Sequence, residues 1–158
     1  MSTFIDSIYR LNNNSFIFTP LIVSFYEKLP QTPKNILLAY LVLPLVLNDI
    51  SRKNIKNSKK SSTIYTFANT RDKDKRKNLF GLTIRVKRYK DLTNSCIQYA
   101  IDNGMLLIES DLSVKFIKPS KSIHNNLKDA HNACCKLHNI FKDLDIVTIY
   151  KMLGVNEL

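Results

Sequence analysis

The twelve residues 36–47, ILLAYLVLPLVL, carry no charge and constrain the fold of this chain more than any other stretch. A helix that crosses the hydrocarbon core of a bilayer needs about 20 apolar residues, whereas a run of about 10–14 is typical of a helix buried inside protein. Lys34-Asn35 closes the run on one side, and Asn48-Asp49, Arg52 and Lys53 close it on the other. It cannot be lengthened without placing charge in lipid. Thr32-Pro33 reads as N-cap and first helical position, and Pro44 as a kink or end in the last turn. Because a helix apolar on every side must be surrounded, residues 36–47 are expected to form the central helix of a bundle. No membrane association is expected. The opening residues, MSTFIDSIYR, lack the basic and apolar regions of a secretory signal, so a cytoplasmic protein is expected.

At 158 residues the chain is long enough for one domain with one sizeable core. Its three cysteines, Cys96, Cys134 and Cys135, are odd in number and two of them are adjacent. That is no disulfide framework and suits a reducing compartment.

Charge is strongly localised. Residues 51–90 hold fourteen Lys and Arg against Asp72 and Asp74, a net +12, while the other 118 residues carry ten basic and eleven acidic side chains. The formal charge of +11 is therefore a property of one block. Such a block binds phosphate backbones through counterion release, without reading sequence. It equally suits an acidic protein partner or a solvated face. The candidate contacts to nucleic acid or partner are Arg52, Lys53, Lys56, Lys59, Lys60, Arg71, Lys73, Lys75, Arg76, Lys77, Arg85, Lys87 and Arg88.

Periodicity and caps divide the chain into four parts: N-terminal helices over 1–50, a basic loop with a short helix over 51–76, a winged-helix-like unit over 77–118, and C-terminal helices over 122–158. In the first part, Asn12-Asn13-Asn14-Ser15 offers N-cap chemistry for a helix carrying Phe16, Ile17, Leu21 and Phe25, with Pro20 marking a delayed start. Residues 51–62, SRKNIKNSKKSS, read as an exposed loop, and Ile64, Tyr65, Phe67 and Ala68 as a short helix. Residues 77–89 and 92–102 read as two helices, the second capped by Asp91 and stopped by Asn103-Gly104. Two β-prone runs, 105–109 and 112–117, flank Ser110-Asp111 as a hairpin. The fold class expected is mainly α with a small β component, and the order helix, turn, helix, hairpin is that of a winged helix.

In the last part, Ile123, Leu127, Ala130, Cys134, Leu137, Phe141 and Leu144 alternate spacings of four and three, an a/d seam expected to pack on the protein's own core. Asp145 caps a final short helix closed by Gly154.

Little in the sequence points to catalysis. The three glycines lie in no phosphate-binding loop, no nucleophile motif is present, and the carboxylates form no close pair. Neither enzymatic activity nor a cofactor is expected. His124, His131 and His138 are spaced by seven, about 10 Å apart along a helix, too far to share one metal. Cys96, on the apolar side of its helix, reads as core. The stretch 92–102 has no Lys or Arg, and of its polar residues only Asn94 and Gln98 are suited to base edges, so backbone or protein contact is favoured over sequence reading.

Three segments together resemble a known family. Asn13-Asn14-Ser15-Phe16 is similar to an opening Asn-Pro-x-Phe, with Asn14 in place of the proline. LLAYLVLPLVLNDISR, residues 37–52, is similar to an apolar helix with an internal proline followed by Thr/Ser-Arg. IYKMLGV, residues 149–155, is similar to a closing Leu-Gly-Val. The family is the small middle component of three-component ABC systems, also called Lamassu-type defence systems. The resemblance implies a non-catalytic adaptor that bridges an SMC-like ABC ATPase and an effector, often a nuclease, in bacterial defence against phage or plasmid DNA. The residues alone leave a second expectation standing, a free winged-helix nucleic-acid-binding regulator.

Overall fold

The computed structural model describes residues 14–69 and 71–158; Asn12 and Asn13 of the expected cap lie outside them. Helix α1, Ser15–Lys28, begins where Asn14 Oδ1 accepts the Phe16 N–H at 3.1 Å. Pro20 lies inside the helix and does not delay it. The first turn tightens around the proline: Ile17 N–H donates to the Asn14 carbonyl, and the Thr19 hydroxyl to the Ser15 carbonyl at 2.6 Å.

The apolar run forms a 3-10 turn, Asn35–Leu38, followed by α2, Ala39–Val46, with Pro44 inside and the end two residues later. Thr32 is not its cap. Residues 34–36 are held by the hairpin instead: Lys34 and Ile36 donate backbone N–H groups to the Asp111 and Leu112 carbonyls, and Asn35 Oδ1 accepts the Val114 N–H at 2.7 Å. Every residue of α2 except Tyr40 is buried, against α1 and against the helices Leu82–Asp102 and Lys128–Phe141. The run is thus the central helix, and no single helix among the described residues is long and apolar enough to cross a membrane.

A bend of 106° leads into α3, Asp49–Lys56. This helix occupies what reads as an exposed loop. Asn48 caps it through the Ser51 N–H, Asp49 sits in its first turn, Lys53 and Lys56 sit in its last, and Ser51 and Ile55 face inward four residues apart. Each of these placements favours a helix. The short α4, Ile64–Phe67, matches expectation, and α5, Lys73–Arg76, leads through a 3-10 turn, Lys77–Leu79, to Gly81.

The largest departure is α6, Leu82–Asp102: one continuous helix of 21 residues where a turn is expected at Lys90-Asp91. No Gly or Pro interrupts it, and Leu82, Val86, Leu92, Cys96, Ile97 and Ala100 keep one face buried along its length, against α1 and α2. Asp91 is a cap by residue type alone, and burial overrides it. The turn falls earlier, at Phe80-Gly81, where Gly81 takes φ +65°. The helix–turn–helix of a winged helix is therefore absent from 77–102.

The hairpin is present: β1, Leu106–Ile108, pairs antiparallel with β2, Val114–Phe116, Leu106 opposite Phe116 and Ile108 opposite Val114. Helix α7, Lys128–Phe141, buries Ala133 and Ile140 beside Ala130, Cys134, Leu137 and Phe141, a stripe broader than a coiled-coil seam. It lies on α1, α2 and α3, and Phe141 meets Phe25 edge to face at 6.1 Å between centroids. Ala130, Cys134, Leu137 and Phe141 of the expected seam are core and Leu127 and Leu144 pack against it partly buried, but Ile123 lies before the helix and outside the core. Helix α8, Ile146–Leu153, is capped by Asp145 and closed by Gly154 in the left-handed region. The fold is mainly helical with one small hairpin.

Candidate functional site

The basic block is folded around one buried side chain. Asn78 donates from Nδ2 to the Phe67 carbonyl at 2.9 Å and accepts on Oδ1 from Asn54 Nδ2 at 2.7 Å. Its own carbonyl accepts from Ser51 Oγ at 3.0 Å and from Arg85 Nη2 at 3.2 Å. One asparagine thereby ties α3, the end of α4 and the start of α6 together.

The thirteen candidate cations fall into two groups. Arg85 is structural: burial lowers the pKa of its guanidinium, which reaches over the Asn78 carbonyl. Arg52 pairs with Asp49 and reaches the Val46 carbonyl; Lys77 lies 3.4 Å from Asp74, Lys87 3.1 Å from Glu157, and Lys56 2.6 Å from Asp129. The hydrogen bond from Lys56 holds the Asp129 carboxyl below its ordinary range. Exposed pairs of this kind contribute little to stability. Lys53, Lys59, Lys60, Arg71, Lys73, Lys75, Arg76 and Arg88 pair with no carboxylate among the described residues. Asp72, one of the two acids in the block, caps α5.

Lys59 and Lys75 meet across a cleft of about 350 Å³, whose lining includes Asn57, Ser62 and Thr66 over a floor of Phe67 and Ile140. Lys73, Arg76 and Lys77 surround a shallower groove beside Leu79 and Phe80. The first turn of α6 carries no acid, so the positive end of its dipole adds to the same field. Sequence reading misses two contributors, Lys136 of α7 and Lys142 directly after it. Their ammonium groups reach the Lys56 carbonyl at 2.6 Å and the Lys60 carbonyl at 2.5 Å, bringing α7 to the edge of the face. No local pattern announces contacts separated by about eighty residues.

The two residues suited to base edges are engaged elsewhere. Asn94 Oδ1 accepts the Tyr40 hydroxyl at 2.6 Å, and Gln98 Nε2 donates to Asp102 at 2.8 Å. With Leu92, Thr93, Cys96, Ile97 and Ala100 buried, the exposed polar face of this stretch is Asn94, Ser95, Gln98 and Asp102, and the two base-suited side chains on it are already engaged. The arrangement can attract polyanions and acidic surfaces.

His131 Nε2 lies 3.7 Å from Cys135 Sγ, while His124 caps a 3-10 turn through Nδ1. No three metal-ligating side chains gather among the described residues. Burial raises the thiol pKa values, that of Cys96 to about 12 and that of Cys134 well above its ordinary value, and half-buried Cys135 is raised as well. In the native protein at pH 8 a disulfide reagent is therefore expected to modify Cys135 alone, with Cys96 and Cys134 reacting only on unfolding. Rapid native modification of Cys96 would contradict its placement in the core.

The sequence model of one family, described as ABC-three component (ABC-3C) system Middle Component 3, matches residues 2–157. The chain belongs to this family. No curated protein and no solved structure matches it. A middle component is one of three parts of a system, so the other subunits are its partners. The face of this Middle Component 3 protein that carries the unpaired cations is the leading candidate for such contacts.

Proposed function

We propose that this middle component is a non-catalytic adaptor, bridging an SMC-like ABC ATPase and an effector subunit, such as a nuclease, in a Lamassu-type defence system. Its basic face touches DNA backbone or the ATPase without reading sequence. The observation that carries the proposal is the basic segment whose helices are tied through Asn78, with eight cations free of carboxylate partners among the described residues. The field of such a face suits a phosphate backbone or an acidic subunit surface. A free-standing regulator is the weaker reading, because α6 is continuous and its Asn94 and Gln98 are already engaged.

Co-expression of the chain with the other two components of its system, followed by mass measurement of what co-purifies in high salt, tests the proposal. A heteromer containing the ATPase is expected. Recovery of the chain only as a monomer or homodimer would overturn the adaptor role.

A further inference from the structure

Phe80 and Ile84 flank the first turn of α6 and face solvent, 82% and 65% exposed. Phe80 has an extended backbone, and Gly81 at φ +65° turns the chain directly after it into α6. Phe80 lines a groove of about 480 Å³ with Lys73, Arg76, Lys77 and Leu79, and Lys87 and Arg88 follow Ile84 within one turn on α6. Two exposed apolar side chains thus lie among cations: Phe80 beside Lys73, Arg76 and Lys77 in the groove, and Ile84 one helical turn before Lys87 and Arg88.

From this juxtaposition we infer that Phe80 and Ile84 form an apolar knob that docks into a groove of a partner subunit whose rim is acidic. The inference rests on the adaptor role proposed above and names the element of this chain that makes the contact. Charge complementarity supplies the rim, since Lys73, Arg76 and Lys77 beside Phe80, and Arg88 one turn after Ile84, are repelled by a basic surface and drawn to carboxylates. The apolar pair supplies the centre of the interface, where buried aromatic and aliphatic anchors carry most of the affinity. Nucleic acid fits less well. A base can stack on Phe80, but Ile84 has no flat face to offer one, and a phosphate backbone gains nothing from either side chain.

Each apolar side chain fully buried on docking is worth about 10- to 100-fold in affinity. The double substitution Phe80→Ser with Ile84→Ser is therefore expected to weaken assembly with the partner subunit by about 30-fold or more. Both side chains lie outside the core, so circular dichroism and the urea midpoint are expected to be unchanged. Ile84→Ser alone, with a smaller loss of assembly, serves as a second variant. Co-purification of all three components at high salt, with wild type alongside, reads the outcome, and anisotropy with a labelled single-stranded oligonucleotide is run in parallel. If wild type assembles and the folded double variant assembles equally well, the knob is overturned and the adaptor role stands. If assembly is intact but oligonucleotide affinity falls, Phe80 serves nucleic acid and the knob is again overturned. If wild type joins neither partner, both proposals fall.

Discussion

Reversing Lys73, Lys75, Arg76 and Lys77 to glutamate is expected to weaken binding to a short DNA duplex at low salt by about a thousandfold. Four reversals of two units each take the formal charge from +11 to +3. None of the four side chains lies in the core, and the Asp72 cap of α5 uses backbone N–H groups that the substitutions keep. The fold is therefore expected to persist by circular dichroism. Each phosphate contact adds about 0.9 to the slope of log affinity against log salt, so losing four contacts should flatten that slope by about 3–4. The slope, measured by anisotropy across a salt series, separates two uses of the face. A shallower slope with lost affinity places these side chains on phosphates; an unchanged slope leaves the cluster to a protein partner.

Asn78→Leu is expected to lower the unfolding free energy by about 2–4 kcal/mol. Leucine keeps asparagine's branched heavy-atom shape, although it is bulkier, but leaves the Phe67 carbonyl without a donor and Asn54 Nδ2 without its acceptor. A buried carbonyl left unmade costs about 1–3 kcal/mol, and loosening of α3 against α6 adds to it. For a chain of this size the melting temperature should fall by about 5–12 °C. Asn54→Ala, at the exposed partner, should cost under about 1 kcal/mol. Equal effects at Asn54 and Asn78 in urea titrations would show that the network is not centred on Asn78.

The sequence made legible those elements whose ends are set locally. Asp145 and Gly154 bound α8 because a side-chain cap and a left-handed C-terminal residue act within one turn. The hairpin around Ser110-Asp111 was legible for the same reason. Helix α3 escaped because only Ser51 and Ile55 mark its buried face among basic residues, so composition spoke louder than spacing. The continuity of α6 escaped because Asp91 can cap a helix, yet only burial against α1 and α2 decides whether the chain leaves the helix there. At the candidate site the block of charge could be counted, but the division into paired and free cations could not. Asp129 and Glu157, which engage Lys56 and Lys87, lie about seventy residues away in sequence. Asn78, a single polar residue within a basic run, gave no sign of its four hydrogen bonds.

The continuous α6 has a mechanical consequence. At 1.5 Å per residue its 21 residues make a strut about 30 Å long, with Phe80 and the groove of Lys73, Arg76 and Lys77 at one end and the hairpin at the other. Met105 is tied back to the Ala100 carbonyl at 2.8 Å and receives the Ile117 N–H at 2.9 Å, so the hairpin is clamped to the strut's far end. With no proline, glycine or turn between the ends, there is no joint to absorb a displacement. The basic end and the hairpin are therefore expected to behave as one rigid piece.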